Sequence, residues 1–257
     1  MTKNAKLSFL VLDFKKPEET RVCLESIRKF CSIPHKIIYL DNGSNEGYPF
    51  EYYKSGLCDT LISKKIGNGG GEGQTDLIRY CNTEYFCFVQ NDQELIQPID
   101  SESFEYFCNL LNTGFKCVNL NGNQGHGKWT DRAHMMRTDF FNSLAPFPNG
   151  GPGLDGIPWN EEYISNQFKN NNHKIAIISP LFFRDNGKWS VREAGDGLYK
   201  HRCDTKILSI LKQPTYKTPV FPPFDDEDWE LALSGKWPSE GKIPNLWKQH
   251  SFKYWND

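Results

Sequence analysis

Apolar residues in the first part of the chain come in short runs that stop abruptly on polar, oxygen-bearing residues. Leu7 to Leu12 runs into Asp13, Ile37 to Leu40 into Asp41-Asn42-Gly43-Ser44, and Tyr85 to Val89 into Gln90-Asn91-Asp92. Continuous apolar runs of this length read as strands buried on both faces. Between the first two runs, behind Pro17, Cys23, Ile27 and Phe30 recur at i, i+4 and i+7. That spacing marks one apolar helix face, and proline suits a first helical turn. A short strand over Thr60 to Ser63 leads to the Gly67–Gly73 stretch, read as a loop, then to a helix carrying Leu77, Ile78 and Cys81. This alternation predicts an α/β fold with a mostly parallel sheet flanked by helices.

The second part continues the pattern more loosely. Phe104, Phe107, Cys108 and Leu111 mark a helix, Phe115 to Leu120 a strand, and Ala133 to Met136 a short strand. Asn121 to Thr130 and the Pro- and Gly-dense Phe147 to Trp159 read as loops, the latter as an ordered flap. Glu161 to Phe168 reads as a helix, Ile175 to Phe182 as a strand and Thr205 to Leu211 as a helix. After Gln213, prolines, an acidic run at 225–230 and then Trp237, Trp247 and Trp255 replace this alternation. Residues 1–212 are therefore read as one domain and 213–257 as an appendage.

Composition narrows the field. With 257 residues the chain can bury a sizeable core, and a net charge of -2 gives no basic field for nucleic acid. No apolar run reaches the roughly 20 residues of a membrane helix, and the N-terminal run is broken by Asp13 without a signal-peptide pattern. The eight cysteines form no Cys-x-x-Cys pair, which reads as core hydrophobes in a reducing cytoplasm. A homo-oligomeric state is left open.

Strands that end on polar residues at the carboxyl edge of an open α/β sheet are where nucleotides bind. A carboxylate at Asp41 can accept from base N–H groups or ribose hydroxyls, and Asp92 can coordinate Mn²⁺ or Mg²⁺, which take oxygen ligands. Arg137 and Lys128 can contact a diphosphate or an acceptor. Trp129, Trp159 and Trp189 can stack on sugar rings or pack in a core. His126 and His134 are weaker candidates for chemistry.

Together, the elements from Leu7 to Phe30, Asp41-Asn42-Gly43-Ser44, Asn68-Gly69-Gly70 with Asp76 eight residues after Asn68, and Glu84-Tyr85 through Gln90-Asn91-Asp92 resemble the nucleotide-sugar half of family-2 glycosyltransferases of the GT-A fold. The resemblance covers residues 1–95 and implies a nucleoside-diphosphate sugar donor, with UDP the first expectation, and a saccharide or other hydroxyl acceptor. It places Asp13, Asp41, Asn68, Gly70, Asp76, Gln90 and Asn91 on the donor and Asp92 on the divalent cation. Gln90 stands where the family has the first acid of a pair, and Asp13 where it commonly has Thr. The acceptor half, 96–212, matches through Trp159-Asn160-Glu161-Glu162-Tyr163, which implies Glu161 or Glu162 as the general base of an inverting transfer. It also implies His201 as a C-terminal metal ligand.

Two rivals belong to other classes. Asp41-Asn42-Gly43-Ser44-Asn45-Glu46-Gly47 is similar to the glycine loop of S-adenosylmethionine-dependent methyltransferases with its middle glycine missing. A non-catalytic nucleotide-sugar binder is compatible with the glutamine at position 90.

Overall fold

The computed structural model describes residues 5–65, 69–121, 129–149, 160–178 and 182–185. The chain divides into two units, Met1–Arg184 and Asp185–Asp257. The first contains the elements below up to Arg184; the expected Thr205–Leu211 helix and the 213–257 appendage lie outside the described residues.

Seven strands form the main sheet in the order β3-β2-β1-β4-β7-β6-β8. They are β1 (Leu7–Asp13), β2 (His35–Asp41), β3 (Thr60–Ser63), β4 (Tyr85–Gln90), β6 (Phe115–Asn119), β7 (His134–Arg137) and β8 (Lys174–Ile177). β1 pairs in parallel with β2 on one side and β4 on the other, Leu12 opposing both Leu40 and Gln90. β7 alone in this sheet runs antiparallel to its neighbours, with Phe88 opposite His134 and Tyr85 opposite Arg137. A two-stranded sheet joins β5 (Gln93–Leu95) to β9 (Phe183–Asp185). The strand expected over Ile175–Phe182 thus begins as β8, and Phe183 starts a strand in the other sheet.

Side-chain alternation along the strands divides the core into two layers. Leu7, Phe9, Val11, Ile37, Tyr39, Cys87 and Val89 pack on one face with α1 (Pro17–Phe30), α2 (Tyr48–Lys54) and α4 (Ser101–Asn112). Leu10, Ile38, Leu40, Phe86 and Phe88 pack on the other with α3 (Gly69–Tyr80), α5 (Thr138–Leu144) and α6 (Asn160–Asn170). α1 starts at Pro17, with Glu18 and Glu19 in its first turn and Arg28 and Lys29 in its last, the charge order that the helix dipole favours. α4 opens with a reciprocal capping box between Asp100 and Ser103. The seven cysteines among the described residues are free, most of them buried, as expected of core thiols.

One sequence expectation is corrected here. Gly69 to Gly73, read as loop, form the start of α3. Glycine weakens a helix by about 1 kcal/mol relative to alanine, so tertiary contacts must compensate. A Cβ on Gly71 would lie 2.1 Å from the Pro148 carbonyl oxygen, and one on Gly73 would lie 2.7 Å from Leu12 Cδ1. The helix can approach β1 and the 147–149 segment this closely only without side chains at those positions. Asn149 then caps it from outside, its Oδ1 accepting from the Glu72 N–H at 2.7 Å.

This packing distinguishes neighbouring glycines. Gly71→Ala should lower stability by about 1–3 kcal/mol through the forced displacement of Pro148. Gly70→Ala, where a Cβ would meet nothing within 4 Å, should leave stability unchanged or raise it by up to about 1 kcal/mol. Thermal unfolding of the two variants side by side checks this, and equal stabilities would show that the glycines are not needed for packing.

Candidate functional site

The parallel strands deliver their carboxyl ends to one edge, and backbone bonds extend their register past the strands. Asn42 N–H donates to the Asp13 carbonyl at 2.9 Å, Asn91 N–H to the Leu12 carbonyl at 3.1 Å, and Lys64 N–H to the Asp41 carbonyl at 3.0 Å. Asp13, Asp41, Asn91 and Asp92 therefore arrive together, all buried.

Neither Asp13 nor Asp41 is a bare carboxylate. Asp13 Oδ2 accepts from the hydroxyls of Tyr39 and Tyr48, each at 2.7 Å, and Oδ1 accepts from Asn91 Nδ2 at 2.6 Å. Burial pushes the Asp13 carboxyl above its ordinary pKa, while these donors pull it back. Asp41 closes the turn after β2: Oδ1 accepts from Ser44 N–H at 2.9 Å and Oδ2 from Ser63 Oγ at 3.1 Å. Asn42 Nδ2 donates to the Gly69 carbonyl at 3.2 Å, which ties this turn to the start of α3. Gly70 lies in the first turn of α3, and Asp76, nearly two turns on, is paired with Lys64 Nζ at 2.5 Å.

Asp92 is 5% exposed and paired with Lys16 Nζ at 2.9 Å. Lys16 sits just ahead of α1 and was not singled out in the sequence; only its closeness to Asp13 along the chain hints at it. Among the described residues no three His, Cys, Asp or Glu side chains gather to hold a metal ion. Asp92 supplies the oxygen donor that a divalent cation takes, and in this structure its charge is matched by the Lys16 ammonium. Asn68 and His201 lie outside the described residues, as do His126, Lys128, Trp159 and Trp189.

Gln90 does not face the donor edge unpartnered, as a ribose-binding amide would. Its Nε2 donates to Asp131 Oδ2. Asp131, which sequence reasoning missed, lies in the turn before β7, and its own backbone N–H donates to Glu161 Oε1 at 2.9 Å. Glu161 stands in the first turn of α6, where the helix dipole favours an acid. Glu162 is exposed. The structure thus separates two glutamates that the sequence left equivalent.

Two other candidates are placed elsewhere. Arg137 pairs with Glu84 at 2.8 Å and Asp139 at 3.3 Å, and because β7 is antiparallel it sits at the opposite edge, across from Tyr85. His134 and Trp129 are core residues. The His134 ring lies within 6.2 Å, centroid to centroid, of Phe86, Phe88, Trp129 and Phe141, and its Nδ1–H donates to the Arg132 carbonyl at 2.6 Å.

No protein-family profile and no curated protein sequence matches this chain. Solved structures do. The mannosyltransferase PcManGT from Pyrobaculum calidifontis, in complex with GDP-Man and Mn²⁺, superposes with a TM-score of 0.56 at 11% identity over 76% of this chain. S. aureus TarS superposes at 0.54 and 12% identity over 71% of this chain, and TarS 1–349 in complex with UDP at 0.52 and 12% over 69%. The chain spans 59%, 37% and 59% of those three structures' chains. It has the α/β fold of these glycosyltransferases.

The burial of His134 has a measurable consequence. Its pKa is lowered to about 4 by loss of hydration, so the unfolded chain binds a proton that the native state refuses between about pH 6.5 and 4. Stability should fall as pH drops through that window, by up to about 3 kcal/mol from this residue. His134→Phe should flatten the fall in an unfolding series against pH; an unchanged slope would mean that His134 is not buried neutral.

Proposed function

We propose that this chain is a glycosyltransferase that moves a sugar from a nucleoside-diphosphate donor, UDP first among nucleotides, to an acceptor hydroxyl with inversion at the anomeric carbon. One observation carries the reading: the contact chain from Gln90 through Asp131 to Glu161 sets a half-buried acid beside the strand ends of a sheet shared with glycosyltransferases. A donor site and an acceptor base have to meet in this way for in-line displacement.

The roles follow from position. Asp41, Asn91 and the turn they brace hold the nucleoside at the carboxyl edge, with Asp13 fixing that platform from beneath. Gly70, at the start of α3, lets the donor come close, and the positive helix end suits a diphosphate. Asp76 and Lys64 border the same edge. Glu161 takes the proton of the acceptor hydroxyl, whose oxygen attacks the anomeric carbon. The bond from that carbon to the phosphate oxygen breaks, and its electron pair leaves with the nucleoside diphosphate. Asp92 would hold a Mn²⁺ or Mg²⁺ ion brought by the diphosphate, with His201 as a second ligand; such an ion neutralises charge on the leaving group.

Calorimetric titration with nucleoside diphosphates tests the donor half. UDP should bind, and Asp92→Asn should weaken binding in Mn²⁺ far more than in EDTA. Equal weakening in both would remove the cation from Asp92, and no binding of any nucleoside diphosphate would end the reading.

Turnover tests the base. Glu161→Gln should lower kcat by roughly 10²- to 10⁴-fold, with donor affinity nearly unchanged, whereas Glu162→Gln should keep the wild-type rate. Wild-type rates in both would place the base elsewhere.

A further inference from the structure

Asp131 belongs to no motif in the sequence, yet it touches both halves of the site. Its carboxylate accepts from Gln90, the last residue of β4, and its backbone N–H donates to Glu161 Oε1 at 2.9 Å. These are distinct groups of one residue, so the turn before β7 is clamped between a donor-side strand and the first turn of α6. Ser165, one turn further along α6, fastens the same turn from behind, its Oγ donating to the Trp129 carbonyl at 2.9 Å.

Resting on the reading of Glu161 as base, we propose that Asp131 is its positioning residue, orienting the Glu161 carboxyl through a backbone N–H while Gln90 holds the Asp131 carboxylate in the same turn. A base working near neutral pH is most effective when its affinity for a proton lies near the working range, which an ordinary glutamate misses by more than two pH units. Burial, then the charge of Asp131, then a side-chain hydrogen bond with Asp131 hold the Glu161 carboxyl well above the usual carboxylate range. The Asp131 N–H and the Arg132 guanidinium pull the other way. Two neighbouring acids titrate as a pair, so the position of one sets the proton affinity of the other.

The proton balance closes within the pair. The acceptor O–H bond breaks as its oxygen bonds to the anomeric carbon, the proton passes to ionised Glu161, and the donor C–O bond breaks toward the diphosphate. The proton then leaves Glu161 to solvent. Gln90 holds the Asp131 carboxylate from the strand end through its Nε2–H.

Carbon-13 NMR of the glutamate side-chain carboxyls, with Glu161 assigned by comparison with Glu161→Gln, reads the pair in the whole chain without turnover. Wild-type Glu161 should titrate well above the ordinary value of about 4.3, and in Asp131→Asn it should move to lower pH. The acid limb of kcat/KM for sugar transfer should move in the same direction, with kcat down by up to about 10²-fold and the donor KM unchanged. Asp131→Ser removes the same charge if the asparagine variant folds poorly. A Glu161 that titrates at the ordinary value, or at the same pH with and without the Asp131 charge, overturns the proposal while leaving Glu161 free to be the base. If the midpoint moves but Glu161→Gln transfers sugar at the wild-type rate, the base assignment and the proposal fall together.

Discussion

A buried carboxylate that has to be kept hydrogen-bonded organises this edge of the molecule. Asp13 is 1% exposed at the end of β1. An unpartnered charge there would be prohibitive, and each donor removed from such a group costs about 1–3 kcal/mol. Its donors come from three places: Tyr39 in β2, Tyr48 at the start of α2 and Asn91 just past β4. Satisfying one acid therefore requires the second strand, the helix after it and the fourth strand to finish together. Tyr48 also shares a 2.8 Å hydrogen bond with Ser44, which accepts from the Lys15 N–H at 2.9 Å, so the turns after β1 and β2 are locked to each other.

The second constraint is strand direction. Had β7 been parallel, its leading turn would lie at the opposite edge, and neither Asp131 nor the helix it holds would meet Gln90. Running β7 antiparallel between β4 and β6 brings the 129–132 turn to the carboxyl edge of the parallel strands. The same reversal carries Arg137 away. A single choice of direction thus brings Asp131 to Glu161 and takes Arg137 to the other edge.

How much of this is legible in the sequence depends on whether the signal is local. β1, β2 and β4 can be read because each is an uninterrupted apolar run ending in oxygen-bearing residues, and α1 because its apolar face has the helical period. The start of α3 cannot, since three successive glycines argue against helix unless the segments that need their missing side chains, Leu12 and Pro148, are known to be near. Asp131 is silent for a related reason: a lone acid before a four-residue strand has meaning only once that strand is known to be antiparallel. Gln90 illustrates a third limit. Its departure from the acid expected there is plain in the sequence, but its partner, 41 residues away, is a product of the fold.

The central claim is that nucleotide and base share the carboxyl edge of the main sheet. Crystals of the chain soaked with UDP and Mn²⁺ test it most directly. The account predicts nucleotide density along the ends of β1, β2 and β4, the diphosphate lying between the start of α3 and Asp92, with Glu161 facing the open side of the terminal phosphate. Density seated at the opposite edge, near Arg137, or against the Phe50 and Tyr53 face of α2, would contradict it.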